Sequence, residues 1–467
     1  MKKWIALLLV LVMILSMAAC GAKTEPAPEE EAPAPDDAPA AETPAETPAE
    51  TPASDEKITL RMIDTLAAET RTAAIQTIID KYEAEHENVT IELITPPTEG
   101  ADQKVQQMLM AGEPLDIIDT GNGFQVCVNN GWIQPLNPYL EDWDELGTIS
   151  SAAASRMTLL DPEGETMWCI PYGIYQMLLF YRKDMLADAG IEVPEVWTWE
   201  KVYEIASEIT DPEAGVYGWA FRGGTRGHMN FDYLMWAFMG DDEVLDNENY
   251  RAFAPDGSVV YRSETALKAL EFYKSLYTDC APADAISWGF TEMVQGFMSG
   301  TCALLLQDND VIQSCESGLD PELWGVGNVP IGPSGYGTQS AGYGGWAMTA
   351  HTQYPEQAAD FIRFLSNAEN NGYFCEQTGL IPIHTTTIES NPYFSSGVYE
   401  VFNQMDELDA YRIYSAHGVA YDCAATFGAD RDEYLQKYLL GEVSGEDLLD
   451  YWASTWEAAY QEQGQLW

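Results

Sequence analysis

Carboxylates are the commonest ionisable side chains in this 467-residue sequence, 75 Asp and Glu against 22 Lys and Arg. Two acids facing each other across a cleft are the machinery of glycoside hydrolysis, yet no pair here is marked out by its neighbours. Other catalytic arrangements are missing. Gly332-Pro333-Ser334-Gly335 is one residue out of register for a nucleophile elbow. His86-Glu87 has no second histidine at zinc-protease spacing, and His86, His228, His351, His384 and His417 lie too far apart for a local metal cluster. The run from Asp241-Asp242-Glu243 to Glu248 lacks the glycine of a calcium loop and reads as a solvated loop. A Gly-x-x-x-x-Gly-Lys phosphate loop is absent, and Gly342-x-Gly344 is only a fragment of a dinucleotide fingerprint. No catalytic residue, cofactor or metal is expected.

The elements that would position a binding site are clearer. Ile58 to Ile63 alternates as a strand, and Ile75, Ile78, Ile79 and Tyr82 then fall at helical spacing. Val89, Ile91 and Leu93 alternate again, Val105, Met108 and Leu109 restore a helix face, and Gly112 can end it. Leu115 to Asp119 is a short apolar strand. This β-α-β-α-β order predicts an α/β fold with a parallel, doubly wound sheet. Ligands of such sheets sit beyond the carboxyl ends of the strands, where Asp64-Thr65 and Thr120 to Asn122 stand. Later strands are expected at Met177 to Tyr181, Cys302 to Leu306 (running into Gln307-Asp308-Asn309-Asp310) and Gly344 to Thr349. Helices are expected after Thr198, near Ser263, near Pro355 and after Ser444, where Ser444-Gly445-Glu446-Asp447 is a capping-box variant. Their aromatic stripes read as core.

A net charge of −53 argues against nucleic acid, whose binding needs Lys and Arg to displace counterions, and against docking on anionic lipid through a basic patch. Lys2 and Lys3, the apolar run Ile5 to Ala19 and the closing Met17-Ala18-Ala19-Cys20 read as a signal peptide over residues 1–20, too short to span a bilayer. Its end resembles a bacterial lipobox, which makes Cys20 the expected lipidation site. Residues 21–57, rich in Pro, Ala, Glu and Thr with three copies of Ala-Glu-Thr-Pro, read as an extended tether. At ~3.1 Å per residue it would reach roughly 110 Å. Cys127, Cys169, Cys280, Cys302, Cys315, Cys375 and Cys423 are odd in number and scattered, so few disulfides or none are expected.

From Ile170 onward a known pattern appears. Ile170-Pro171-Tyr172, Leu179-Phe180-Tyr181-Arg182-Lys183-Asp184-Met185, Ala189-Gly190-Ile191, Val193-Pro194 and Trp197-Thr198-Trp199-Glu200 follow in order. Together they resemble the signature of family 1 extracellular solute-binding proteins of bacterial ABC importers, with Arg182 where Asn is usual. Ala111-Gly112-Glu113-Pro114-Leu115-Asp116, Gly131-Trp132-Ile133-Gln134-Pro135-Leu136, the helix Ala358 to Ser366 and Gly379-Leu380-Ile381-Pro382 are similar to further motifs of that family. The resemblance covers about 58 to 467. It implies a type II periplasmic-binding-protein-like fold of two α/β lobes, 58–171 plus 344–382 and 172–343 plus 383–467. Three hinge crossings would fall near Tyr172, Tyr343 and Ile383, with solute in the cleft.

By that resemblance the polar ligand candidates are Asp64, Asn122, Arg222, Asp308 and Asn309, and the aromatic ones are Tyr172, Tyr175, Trp236, Trp288, Tyr343 and Trp346. Planar polar groups bond sugar hydroxyls and aromatic faces stack on the ring. Arg222 lies in Phe221-Arg222-Gly223-Gly224-Thr225-Arg226, where a cation could meet an acidic sugar or pair with local carboxylates. The implied function is a lipid-anchored receptor on the outer face of the cytoplasmic membrane. As a monomer it would deliver a mono- or oligosaccharide to permease subunits. A different solute such as a polyamine, or a surface carbohydrate-active enzyme, stays open.

Overall fold

The computed structural model describes residues 57–466 apart from 67, 98, 99, 162, 246–249, 341–343, 415–420, 422, 424–426, 428 and 429. The expected signal peptide, Cys20, the tether up to residue 56, and Tyr343 lie outside the described residues.

Strand β1 (Ile58–Ile63) pairs in parallel with β2 (Val89–Ile94) across the intervening helix Glu69–Glu85. On its other side β1 pairs in parallel with β3 (Ile117–Asp119), after the helix Ala101–Ala111. Gly112 ends that helix at φ +66°, a left-handed conformation that costs glycine little. The chain then forms β4 (Ile170–Pro171) and β5 (Met177–Arg182), followed by β6 (Tyr217–Trp219), β7 (Cys302–Asp308) and β8 (Trp324–Gly327). β9 (Gly337–Ser340), β10 (Gly345–Met348) and β11 (Tyr411–Tyr414) complete the strands among the described residues. Two main sheets result, one in the order β2-β1-β3-β10-β4 and one in the order β6-β7-β5-β8, while β9 and β11 pair separately in parallel.

The parallel pairing expected from the sequence holds for β2-β1-β3 and for β6-β7. It does not extend to β10, which runs antiparallel to β3 and β4, or to β5, antiparallel to β7 and β8. A parallel neighbour needs a crossover on the sheet's own face. β5 instead follows directly on β4 of the other sheet and β10 follows β9 of a separate ribbon, so neither is delivered by such a crossover.

Several local predictions coincide with the structure. Thr198, Ser263 and Ser444 each cap a helix, their hydroxyls accepting from the amides of Lys201, Ala266 and Asp447 at 3.2, 3.0 and 3.1 Å. The helix Gly227–Phe238 has no counterpart in the sequence reading, because it is buried nearly all round and carries no polar face. Its Asp232 forms an ion pair with no exposure on either side chain. Arg431 Nη1 and Nη2 each donate to Asp232 at 2.7 Å, under the ring of Trp452. All seven cysteines after Cys20 are free thiols and all but Cys423 are buried. Among the described residues no helix is long and apolar enough to cross a membrane.

Segment 172–176 carries the chain from β4 to β5, and segment 379–383 lies antiparallel beside it through the bridge of Ile174 with Ile381. Two buried amides tie these segments together. Asn309 Nδ2 donates to the carbonyls of Gly379 and Ile174 at 2.9 and 3.4 Å, while its Oδ1 accepts from the Gln176 amide at 2.9 Å. Asn371 Nδ2 donates to the Tyr172 carbonyl and its Oδ1 accepts from the Ile383 amide, both at 3.0 Å.

Candidate functional site

The carboxyl ends of β1 and β3 lie side by side, as parallel neighbours must, and each ends in a buried acid. Asp64 follows β1; Asp119 closes β3. Arg71 sits in the first turn of the helix that leaves β1, so its side chain reaches back over the strand ends. Its Nε lies 3.0 and 3.1 Å from the two Asp64 oxygens and its Nη2 lies 2.9 Å from Asp64 Oδ1 and 3.9 Å from Asp119 Oδ2. Asp119 also accepts from the Thr65 hydroxyl at 2.8 Å and the Gly121 amide at 2.9 Å. Burial pushes Asp119 up to about 6, against the opposing pull of Arg71.

Aromatic rings cover the same guanidinium. The Arg71 carbon lies 4.2 Å from the centre of the Tyr172 ring, 5.1 Å from Phe374 and 5.5 Å from Trp346. Tyr172 in turn meets Tyr175 edge-on at 6.3 Å. Gly344 is required where it stands, since a Cβ there would fall 1.5 Å from the Tyr172 hydroxyl.

Groups from the second sheet close on the same place. Burial raises the Tyr175 phenol, and the charges that act on it are Arg71, Asp310, Asp119 and Asp308. Asp308 ends β7, and Asp310 stands two residues on, its backbone against Gly379. Asp310 Oδ1 is shielded from solvent and has no hydrogen-bond partner. Burial first, then neighbouring Asp308, push its carboxyl up to about 8, with the Val311 amide, Arg222 and Arg71 opposing. Arg222 is half-buried, and its Nε donates to the Thr225 carbonyl at 2.7 Å. Burial and Arg226 pull its guanidinium down, while Asp308 and Asp432 hold it up. The glycine loop that carries it is pinned by the Gly223 amide on Ala285 O and the Gly224 amide on Trp288 O, at 3.1 and 2.8 Å. Asp432 fastens the next turn, accepting from the Arg226 and His228 amides at 2.6 and 3.0 Å.

These acids set a pH dependence whose sign is fixed. Asp119 and Asp310 hold protons in the native state that the unfolded chain releases near pH 4, so stability falls as pH rises above about 4, the Asp119 part being lost by about 6 and the Asp310 part by about 8. Asp310→Asn removes the upper part of that loss. Between pH 5.5 and 8.5 the unmutated protein is expected to lose ~1–3 kcal/mol more than Asp310→Asn in urea unfolding.

Residues 77–396 match the model of the family described as bacterial extracellular solute-binding protein. The chain belongs to that family. It is 25% identical over 254 residues to a Deinococcus radiodurans chain named Probable ABC transporter-binding protein, covering 51% of this chain and 58% of that one. It is 26% identical over 296 residues to the sn-glycerol-3-phosphate-binding periplasmic protein UgpB of Rhizobium meliloti, covering 61% and 65%. The first four curated relatives are matched over 37% to 70% of their own length. In fold it is similar to the GacH receptor of Streptomyces glaucescens, solved unliganded and in complex with acarbose. The TM-score is 0.72 at 20% identity, covering 87% of this chain and 99% of that one. The fold is thus the two-lobed type II periplasmic-binding-protein architecture.

In this solute-binding protein Asp64, Tyr172 and Trp346 are packed about Arg71 and buried, 0%, 1% and 2% exposed, while Tyr175 meets Tyr172 edge-on and is acted on by Asp308, which in turn acts on Arg222. Three other candidates do not join them. Trp236 is fully buried in the helix Gly227–Phe238, its indole donating to the Arg251 carbonyl at 3.2 Å, so its ring is part of the core. Trp288 turns its ring against Gly296 and donates to Asp284 at 3.3 Å. Asn309 spends its amide on the crossing segments. Tyr343 and the side chain of Asn122 lie outside the described residues. Arg71, Asp119 and Asp310 were not among the candidates. A sequence signal existed for Asp119 and Asp310, which stand at expected strand ends. Arg71 offered only its rarity as a cation. Among the described residues no group of His, Cys, Asp or Glu is arranged to hold a metal ion.

Proposed function

We propose that this protein captures a small polyhydroxylated solute, of the mono- or oligosaccharide class, between its two lobes and delivers it to the permease of an ABC importer. The observation that carries the reading is the cluster around Arg71 and Tyr175, in which strand-end acids of both sheets and a stack of aromatic rings meet at one place. Tyr175, Arg222 and Asp308 are its partly exposed groups, a ring face and polar atoms for a sugar, held on the buried support of Arg71, Asp64, Tyr172 and Trp346. The lobes are 58–171 plus 344–382 and 172–343 plus 383–467, hinged where Asn309 and Asn371 tie the crossing segments. Cys20 carries the lipid, and residues 21–57 tether a monomer to the outer face of the cytoplasmic membrane. The acarbose complex of GacH supports a polyhydroxylated ligand.

The test is thermal unfolding of the full chain against sugars, polyols and polyamines. A solute at 100 times its dissociation constant adds roughly 2.7 kcal/mol, visible as a higher midpoint. A shift confined to one sugar or polyol class, with that compound recovered intact, is the expected outcome. Cleavage of the compound would replace the receptor by a carbohydrate-active enzyme, and no shift across the panel would remove both.

A further inference from the structure

We propose that Gln436 is a positioning residue for solute recognition, holding the Arg222 loop and the segment 283–288 at a fixed spacing with one amide group. The inference rests on the receptor reading and adds a residue that acts through others. Gln436 lies on the helix Arg431–Leu439, 213 and 150 residues beyond the two carbonyls it holds.

Backbone register puts the Arg222 loop at a strand end. β6 runs parallel to β7 with Trp219 opposite Leu304, and the Ala220 amide continues the ladder onto the Leu304 carbonyl at 2.9 Å. In that register the chain leaves the sheet at Arg222 and Gly223, level with the close of β7 at Gln307 and Asp308. Such carboxyl ends are where ligands of parallel sheets sit. Segment 283–288 abuts the loop backbone to backbone. A Cβ on Gly223 would stand 2.6 Å from Ile286 Cα, and one on Gly224 2.7 Å from the Ser287 carbonyl oxygen, so neither position accepts a side chain. The Gly223 and Gly224 amides already donate across this contact to Ala285 and Trp288.

Gln436 Nε2 donates to the carbonyls of Gly223 and Ile286, at 2.8 and 3.1 Å. Its two hydrogens thus meet one acceptor in each segment, and a planar amide fixes the distance between them. Asp432, one turn earlier on the same face, accepts from the Arg226 and His228 amides at 2.6 and 3.0 Å. Arg431 and Leu435, on the neighbouring row, are buried. One row of this helix packs the core and the next braces the loop that presents Arg222.

Gln436→Met keeps the length of the side chain and removes both donors. Titration calorimetry of the full chain with glucose, maltose, mannitol and putrescine, paired with amide hydrogen exchange, tests the role. The expected result is at least about tenfold weaker binding of whichever of these the unmutated protein holds. Exchange at Gly223 and Gly224 should quicken while that of β1 and β2 stays unchanged. Leu435→Ala, which empties a buried position on the same helix, should lower the melting temperature and leave the affinity of the folded protein within about threefold. Gln436→Ala is the second variant if the thioether disturbs folding, and a melting curve establishes that each variant is folded. Unchanged affinity or unchanged exchange in the Gln436 variants, or an equal loss of affinity in Leu435→Ala, overturns the positioning role and leaves the receptor standing. Binding of none of the compounds by the unmutated protein removes the receptor reading, and exchange at Gly223 and Gly224 then upholds the brace if faster and overturns it if not.

Discussion

Arg71→Met is expected to lower stability by ~3–5 kcal/mol and to abolish the solute-dependent shift in melting temperature. Removing the guanidinium leaves Asp64 and Asp119, 0% and 2% exposed, as neighbouring carboxylates in a dry site without their shared counter-ion. Asp119, already pushed up to about 6 with the guanidinium in place, should rise further without it. The deficit should therefore be largest near pH 8 and shrink as pH falls below about 5. The aromatic stack of Tyr172, Trp346 and Phe374 loses its central cation at the same time, so the cleft changes shape as well as charge. Arg71→Lys should fall between the two, since an ammonium keeps the charge and loses the planar, two-pronged contact. Urea unfolding at pH 5 and pH 8, paired with the solute panel, measures both effects. A variant within ~0.5 kcal/mol of the unmutated protein that still responds to solute would show that the cluster does not organise the cleft.

Arg431→Met supplies the matched case at a second buried ion pair. Arg431 and Asp232 have no exposure, two contacts of 2.7 Å, and rings of Trp452 and Phe427 at 4.2 and 4.6 Å. The expected loss is again ~3–5 kcal/mol. Asp232 stands on the helix Gly227–Phe238 and Arg431 adjoins Asp432, which fastens the Arg226 turn, so solute binding by the folded fraction should weaken far less than in Arg71→Met. The double variant Arg431→Met with Asp232→Leu should recover much of the loss, because apolar side chains of similar volume often replace a buried pair at little cost. The two arginines together separate a pair that supports packing from one that also shapes recognition.

Much of this molecule was legible where the code is local. Alternation at Ile58 to Ile63, the helix stripe through Tyr82, Gly112 as a terminator and hydroxyl caps at Thr198, Ser263 and Ser444 all reappear in the structure. What was hidden depends on distance along the chain or on direction in space. Arg71 is seven residues from Asp64 but 48 from Asp119, and nothing in composition announces that two strand ends share one cation. Trp236 and Trp346 look alike as letters and both rings are buried; only the packing shows one enclosed by its helix and the other beside the guanidinium. Asn309 illustrates a third limit. An amide at a strand end has the right chemistry for a ligand, and here the same donors and acceptor close the chain upon itself.

The position of β10 dictates an order of events. Trp346 pairs with Asp119 on one side and Ile170 on the other, so the first sheet lacks its fourth strand until residues far downstream arrive. While the chain is being made, β3 and β4 present open edges that no earlier segment can cover. Closing them needs contacts across more than 170 residues, which slows folding and prolongs the life of an incomplete first lobe. The second sheet uses only segments between Met177 and Gly327 and can form without waiting. Folding is therefore expected to begin in the middle of the sequence and to finish at its first strands, with the candidate site assembled last.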